Sequence, residues 1–181
     1  MFIQTEATPN PLTLKFLPGV PVLETGTAFF TNKEDAGISP LAVELFDIEG
    51  VTAVFLGSDF ITVTKDEASH WEALKAPILT TIMDFFVAGK KAMGKAREVE
   101  SYEGDSDLVK QIRELIDTRV RPAVAQDGGD IIYRGFEDGI VKLELHGSCS
   151  GCPSSTVTLK NGIENMLKHY VPEVIAVEAV N

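Results

Sequence analysis

Between residues 90 and 107 the chain stops reading like the inside of a protein. The run from Lys90-Lys91-Ala92-Met93-Gly94-Lys95 to Glu103-Gly104-Asp105-Ser106-Asp107, reached through Gly89, is polar and glycine-containing, with basic residues first and acidic ones after. It sustains no apolar period, so it has too little apolar surface to bury in a core. It reads as a linker, and it divides the 181 residues into pieces of roughly 89 and 74, both credible domain sizes. The expected fold class is α+β, in two small domains, each a short sheet packed with helices: residues 1–89, a linker over 90–107, and residues 108–181.

The first piece opens with Thr8-Pro9-Asn10-Pro11, which is stiff and extended. Leu12–Phe16 alternates like a half-buried strand, and Leu17-Pro18-Gly19 ends it. Ser39-Pro40 predicts a short helix, with Ser39 as its cap and Pro40 at the first helical position. Val51–Phe55 and Phe60–Thr64 predict a hairpin. Trp71, Leu74, Ile78, Ile82 and Phe85 recur at helical spacing, with Pro77 expected to kink that helix. The expected order is strand, helix, strand, strand, helix.

In the second piece Leu108, Ile112, Leu115, Ile116 and Val120 stripe a helix that Pro122 should end or bend. Asp127-Gly128-Gly129-Asp130 reads as a turn. Asp130–Phe136 and Ile140–His146 form a hairpin across Glu137-Asp138-Gly139. Leu159, Ile163, Met166, Leu167 and Tyr170 stripe a further helix that starts near Pro153 and stops at Pro172. Val174–Val180 alternates as a last strand.

The formal net charge is −11, spread as −8 over residues 1–89, −1 over 90–107 and −2 over 108–181. An acidic surface argues against nucleic acid, whose phosphates require a basic footprint, and equally against anionic membranes. It suits basic protein partners. No stretch approaches the ~20 apolar residues of a membrane-spanning helix. The segment Met1–Glu6 lacks the basic and apolar regions of a secretory signal, and the first arginine is Arg97, so no transit peptide is visible. A cytoplasmic protein, or an organellar one whose presequence has been removed, is expected.

The only cysteines are Cys149 and Cys152, in Gly147-Ser148-Cys149-Ser150-Gly151-Cys152-Pro153. Two cysteines three apart cannot staple a fold. They sit between an expected strand and an expected helix, where unpaired N–H groups and the helix dipole favour a thiolate. Three chemistries compete. An iron–sulfur cluster requires four thiolates, so a second chain would complete the site. Zinc also takes four ligands and accepts histidine; His146 is close in sequence, His70 and His169 remote. A thioredoxin-like dithiol oxidoreductase would use the pair alone, but the loop follows an antiparallel hairpin rather than opening a βαβ unit. Asp127 and Asp130 are better suited to a turn than to a soft metal site.

Asp127-Gly128-Gly129-Asp130, Val141-Lys142-Leu143, Gly147-Ser148-Cys149-Ser150-Gly151-Cys152-Pro153-Ser154-Ser155, Gly162-Ile163-Glu164 and Val171-Pro172-Glu173-Val174 together resemble the C-terminal domain of the NifU family, the Nfu domain. Thr8–Leu12 and Leu14–Gly19 resemble the N-terminal domain of Nfu-type proteins. Ser148 departs from the alanine expected there and leaves both cysteines in place. The resemblance implies a carrier rather than an enzyme. It would bind a [4Fe–4S] cluster through Cys149 and Cys152 of each protomer, bridging two protomers into a homodimer. The partners implied are an upstream scaffold or carrier and apo iron–sulfur client proteins. The N-terminal domain has no cysteine; client docking or dimer tuning is the role expected of it.

Overall fold

The computed structural model describes residues 1–94, 104–148 and 153–180, with the backbone alone at residues 153–155. Two compact units make up the chain, Met1–Val99 and Glu100–Asn181.

In the first unit β1 (Gln4–Ala7), β2 (Thr13–Leu17), β3 (Ala28–Phe30), β4 (Val51–Leu56) and β5 (Ile61–Lys65) form one sheet in the order β1-β2-β5-β4-β3. Every neighbouring pair is antiparallel. Helices α1 (Pro40–Phe46) and α2 (Trp71–Val87) bury Leu41, Leu45, Leu74, Ile78, Ile82 and Phe85 in one cluster with Phe16, Val54, Leu56, Ile61 and Val63. Each such side chain contributes about 1.5–3 kcal/mol on leaving water. Ser39 caps α1 as expected, accepting from the Ala42 N–H at 3.2 Å, with Pro40 in the first turn. Helix α2 runs through Pro77 without a break.

Two strands were not foreseen. β1 has a mostly exposed sequence with no alternation, and its register against β2 holds it. β3 is only three residues long. The first residues of the expected linker lie against this unit: Ala92 is buried, its carbonyl accepts from Ser39 Oγ at 2.5 Å, and the Gly94 N–H donates to the Ile38 carbonyl at 3.1 Å. Residues 95–103, the middle of that linker, lie outside the described residues.

The second unit is a three-stranded sheet with helices on one face. Helix α3 (Asp107–Leu115), capped by Ser106 through the Val109 N–H at 3.3 Å, passes into a π-helical turn (Ile116–Val120) and then α4 (Arg121–Gln126). Pro122 therefore neither ends the helix nor simply bends it. Its missing N–H and its ring, which would meet the carbonyl four residues back, are accommodated by widening the turn before it. Strands β6 (Gly129–Glu137) and β7 (Ile140–Gly147) pair antiparallel across Asp138-Gly139. Both turn residues have positive φ, 51° and 78°, as a tight two-residue hairpin requires.

Helix α5 (Pro153–Tyr170) then crosses over to β8 (Ala176–Val180), which pairs parallel to β7, giving the order β6-β7-β8. The last strand is shorter than expected at its start; Val174 instead packs in the core. That core joins Ile112, Ile116, Val120 and Val124 to Ile131, Val141, Leu143 and Val177, with Ile163 and Leu167 from α5.

Candidate functional site

Cys149 and Cys152, with Ser150 and Gly151 between them, lie outside the described residues; their two anchors do not. The first anchor is the end of β7. Gly147 takes a left-handed φ of 67°, which turns the chain off the sheet at little cost for a residue without Cβ. Ser148 is almost fully buried. Its N–H donates to the Gly128 carbonyl at 3.3 Å, and its Oγ donates to the Asp127 carbonyl. The serine that departs from the family pattern thus adds a tie between the loop's start and the corner where α4 meets β6. Gly128, at φ 78°, makes that corner.

The second anchor is the first turn of α5, beginning at Pro153. Proline suits that position because its missing N–H would have found no helical partner there. The 18-residue helix has the positive end of its dipole at Pro153, the residue that follows Cys152 in sequence. Thiolates are stabilised by such a helix start.

The α4–β6 corner is held by an ion pair that the sequence did not reveal. Arg121 Nε and Nη2 donate to Asp130 Oδ1 and Oδ2 at 2.8 and 2.9 Å. Asp130 Oδ1 also accepts from the Ile131 N–H at 2.8 Å, and Arg121 reaches Asp117 at 3.3 Å. The Asp130 carboxylate is nearly buried. Its hydrogen bonds raise the Arg121 guanidinium still further above its ordinary value, against the opposing effect of burial. Only the i,i+4 spacing of Asp117 and Arg121 could have hinted at this from sequence. Asp130 serves the turn, in keeping with the preference for structure over metal ligation.

Of the histidines, His146 is buried directly opposite Asp130 in the β6–β7 register. Its Nε2 meets Glu144 Oε1 at 2.7 Å, and Glu144 Oε2 accepts from Arg134 Nε at 2.5 Å. His70 precedes α2 in the other unit, and His169 lies near the end of α5 against Tyr170. Among the described residues no three His, Cys, Asp or Glu side chains are grouped to hold a metal ion.

Burial alone would raise the Glu144 carboxyl, but its bonds to His146 and Arg134 outweigh that and hold it below the ordinary value. A depressed carboxyl contributes stability above its unfolded-state pKa and loses it as pH falls through the folded one. The denaturant midpoint of the second unit is therefore expected to fall as pH drops below the ordinary glutamate range. Glu144→Gln should flatten part of that dependence; an identical pH profile in the variant would show that Glu144 contributes none of it.

One expectation needs correcting. The cysteine loop does follow an antiparallel hairpin, but it also opens a βαβ unit, because β7 and β8 are parallel and α5 is their crossover. Topology therefore gives no ground for setting dithiol chemistry aside.

Comparison with known proteins bears on the whole chain. Residues 3–89 match the family profile described as "Scaffold protein Nfu/NifU N terminal", and residues 112–178 match "NifU-like domain". The chain is 58% identical over 184 aligned residues to a Homo sapiens protein named "NFU1 iron-sulfur cluster scaffold homolog, mitochondrial", covering 99% of this chain and 72% of that one. It is 54% identical to a Drosophila virilis protein of the same name, of which it spans 62%. A solution structure of a NifU-like protein from Saccharomyces cerevisiae aligns with a TM-score of 0.48 at 27% identity, over 53% of this chain and 87% of that one. The sequence matches carry the assignment.

Proposed function

Because the chain belongs to the Nfu family of iron–sulfur cluster scaffold proteins, we infer that it carries a [4Fe–4S] cluster as cargo and delivers it to apo-proteins. Cys149 and Cys152 hold the cargo, and the same pair from a second copy completes four thiolates. One observation carries the reading: the chain has two cysteines and no more, and in sequence both fall between the end of β7 and the start of α5. Soft thiolates suit iron, whereas the neighbouring carboxylates and His146 already serve pairs of their own.

Delivery is ligand exchange without redox change. A client thiol loses its proton and binds iron as the thiolate; one Fe–S bond to Cys149 or Cys152 breaks, and that thiolate is free to take up a proton. The thiolates leave one at a time, so the cluster is never released free. Carriage belongs to residues 108–181, beyond the linker 90–107. Residues 1–89 dock clients or tune the dimer, and their strong negative charge suits a basic partner. The setting is the bacterial cytoplasm, or the mitochondrial matrix once a presequence is removed. A dithiol oxidoreductase is the second reading, favoured by the βαβ position of the loop.

Anaerobic reconstitution tests the proposal. Iron and sulfide counting is expected to give one cluster per two chains, and sedimentation is expected to show a monomer becoming a dimer on loading. A monomer with full cluster content and no external thiol would overturn the shared site.

A further inference from the structure

Helix α2 lacks the charged outer face that a helix packed on one side of a sheet ordinarily has. Only Glu72, Lys75 and Asp84 carry charge among its 17 residues. A surface helix buries one stripe and sets polar and charged groups opposite it, whereas a helix apolar all round is a buried one. In α2 the buried stripe is Leu74, Ile78, Ile82 and Phe85. At about 100° per residue these stand about 120° or more from Thr80, which marks the outward line. Within about 60° of Thr80 lie Ala73, Ala76, Pro77, Met83 and Val87, all exposed. Met83 and Val87 are one turn apart, and Val87 is 71% exposed.

The charges that frame this face have one sign. Glu72 stands toward one end and Asp84 toward the other, about 18 Å apart along the axis. Among the described residues neither side chain has an ion-pair or hydrogen-bond partner. Asp84 is in the last turn, at the negative end of the helix dipole, where a cation is favoured, and that turn holds no basic residue. Lys75 lies about 140° round the helix from Thr80. Lys90, just past the helix, is engaged by Glu44 at 2.8 Å and lies over the Phe85 ring. A face depleted of charge at its centre and acidic at both ends has the make-up of an interface core with its rim.

We propose that the outward face of α2 seats an amphipathic helix of a partner protein, apolar along its middle and carrying a basic residue toward each end, about 18 Å apart. The inference rests on the reading that residues 1–89 dock clients, and gives that role a place and a chemistry. A helix suits the face because α2 spends its own N–H and C=O groups internally and has none to pair an extended strand. A second copy of the chain does not suit it. An antiparallel isologous contact centred on the face would set Glu72 of each copy against Asp84 of the other, and would bring together two units of net charge −8. A single helix face is a small interface, as transient encounters have, which fits a client that docks and leaves.

The probe is an end-capped, alanine-based helical peptide with a leucine stripe and a lysine at each end, twelve residues apart, together with its twin carrying glutamates in place of the lysines. Fluorescence anisotropy of the labelled peptides reads binding to the full-length protein at low ionic strength. Wild type should bind the lysine peptide about tenfold tighter than the glutamate twin, and salt should narrow that gap. Glu72→Lys with Asp84→Lys should invert the preference. Met83→Asp with Val87→Asp should weaken the lysine peptide about tenfold with far-UV circular dichroism unchanged, since both side chains are exposed. Val157→Asp, at an exposed apolar position in the other unit, should bind like wild type. If wild type does not discriminate the peptides, if charge reversal leaves the preference as it was, or if the Met83 and Val87 variant binds normally, α2 is not the seat. The docking role is read separately, by cluster delivery from loaded protein to an apo [4Fe–4S] client, which excess lysine peptide should slow. Delivery undiminished while the peptide fills α2 would take the client role from residues 1–89 and leave the surface standing. Slowing that persists in the Met83 and Val87 variant would put the peptide's seat elsewhere and overturn the proposal.

Discussion

Replacing Cys149 or Cys152 with serine is expected to abolish stable cluster binding while leaving the fold intact. Serine exchanges a soft thiolate for a hard hydroxyl that stays protonated at neutral pH and binds iron poorly. A shared site loses two of four thiolates at once, because each copy contributes the same defect. Both variants should therefore lose the visible absorption of the reconstituted protein and fail to activate an apo [4Fe–4S] client, with loss beyond tenfold in each case. The symmetry of the two effects is the discriminating readout. In a dithiol oxidoreductase the attacking cysteine is indispensable, whereas loss of the resolving one traps mixed disulfides with the substrate. Metal-free wild type that catalyses disulfide exchange, with one variant accumulating mixed disulfides, would transfer the assignment to that chemistry.

Arg121→Ala should unfold the second unit at a much lower temperature. Asp130 is nearly buried and its two oxygens receive two of their hydrogen bonds from Arg121. Removing the guanidinium takes away both of those bonds from a buried carboxylate, and breaking such a pair costs about 3 kcal/mol or more. For a domain of this size that is roughly 12–24 °C in melting temperature. Arg121→Lys keeps the charge but not the two-pronged geometry, and should recover only part of the loss. Trp71, the chain's single tryptophan, belongs to the other unit, so its fluorescence transition is an internal control that should not move. A shift below 3 °C for Arg121→Ala would show that the pair does not hold the α4–β6 corner. Because Ser148 is tied to Asp127 and Gly128 of that corner, the same variant is expected to load less cluster at temperatures where it remains folded.

The amphipathic helices were legible because their stripes repeat over several turns: Leu74, Ile78, Ile82 and Phe85 in α2, and Ile163 and Leu167 in α5. The Asp138-Gly139 turn was legible because its backbone demands those residue types. What stayed hidden depends on contacts distant in sequence. β1 has no pattern of its own and exists through its pairing with β2. The parallel pairing of β7 with β8 leaves no local trace in either strand. Pro122 announced a break, but a widened turn answers the same steric demand without ending the helix. In the site, the cysteine pair was plain from spacing, and the family came from motifs around it. Arg121 was not, since a lone arginine nine residues before an aspartate carries no signal until the chain folds.

The crossover from β7 through α5 to β8 also sets an order of events during synthesis. Cys152 leaves the ribosome before β8 does, and at 5–20 residues per second the 28 residues between Cys152 and Val180 take roughly 1.5–6 s. Through that interval β7 has a neighbour on one side only, and its other side presents an open row of hydrogen-bonding groups. The newborn chain thus carries both cysteines while β7 still has an unpaired edge, which makes the seconds before β8 docks the period when that edge is most open to pairing with another nascent copy.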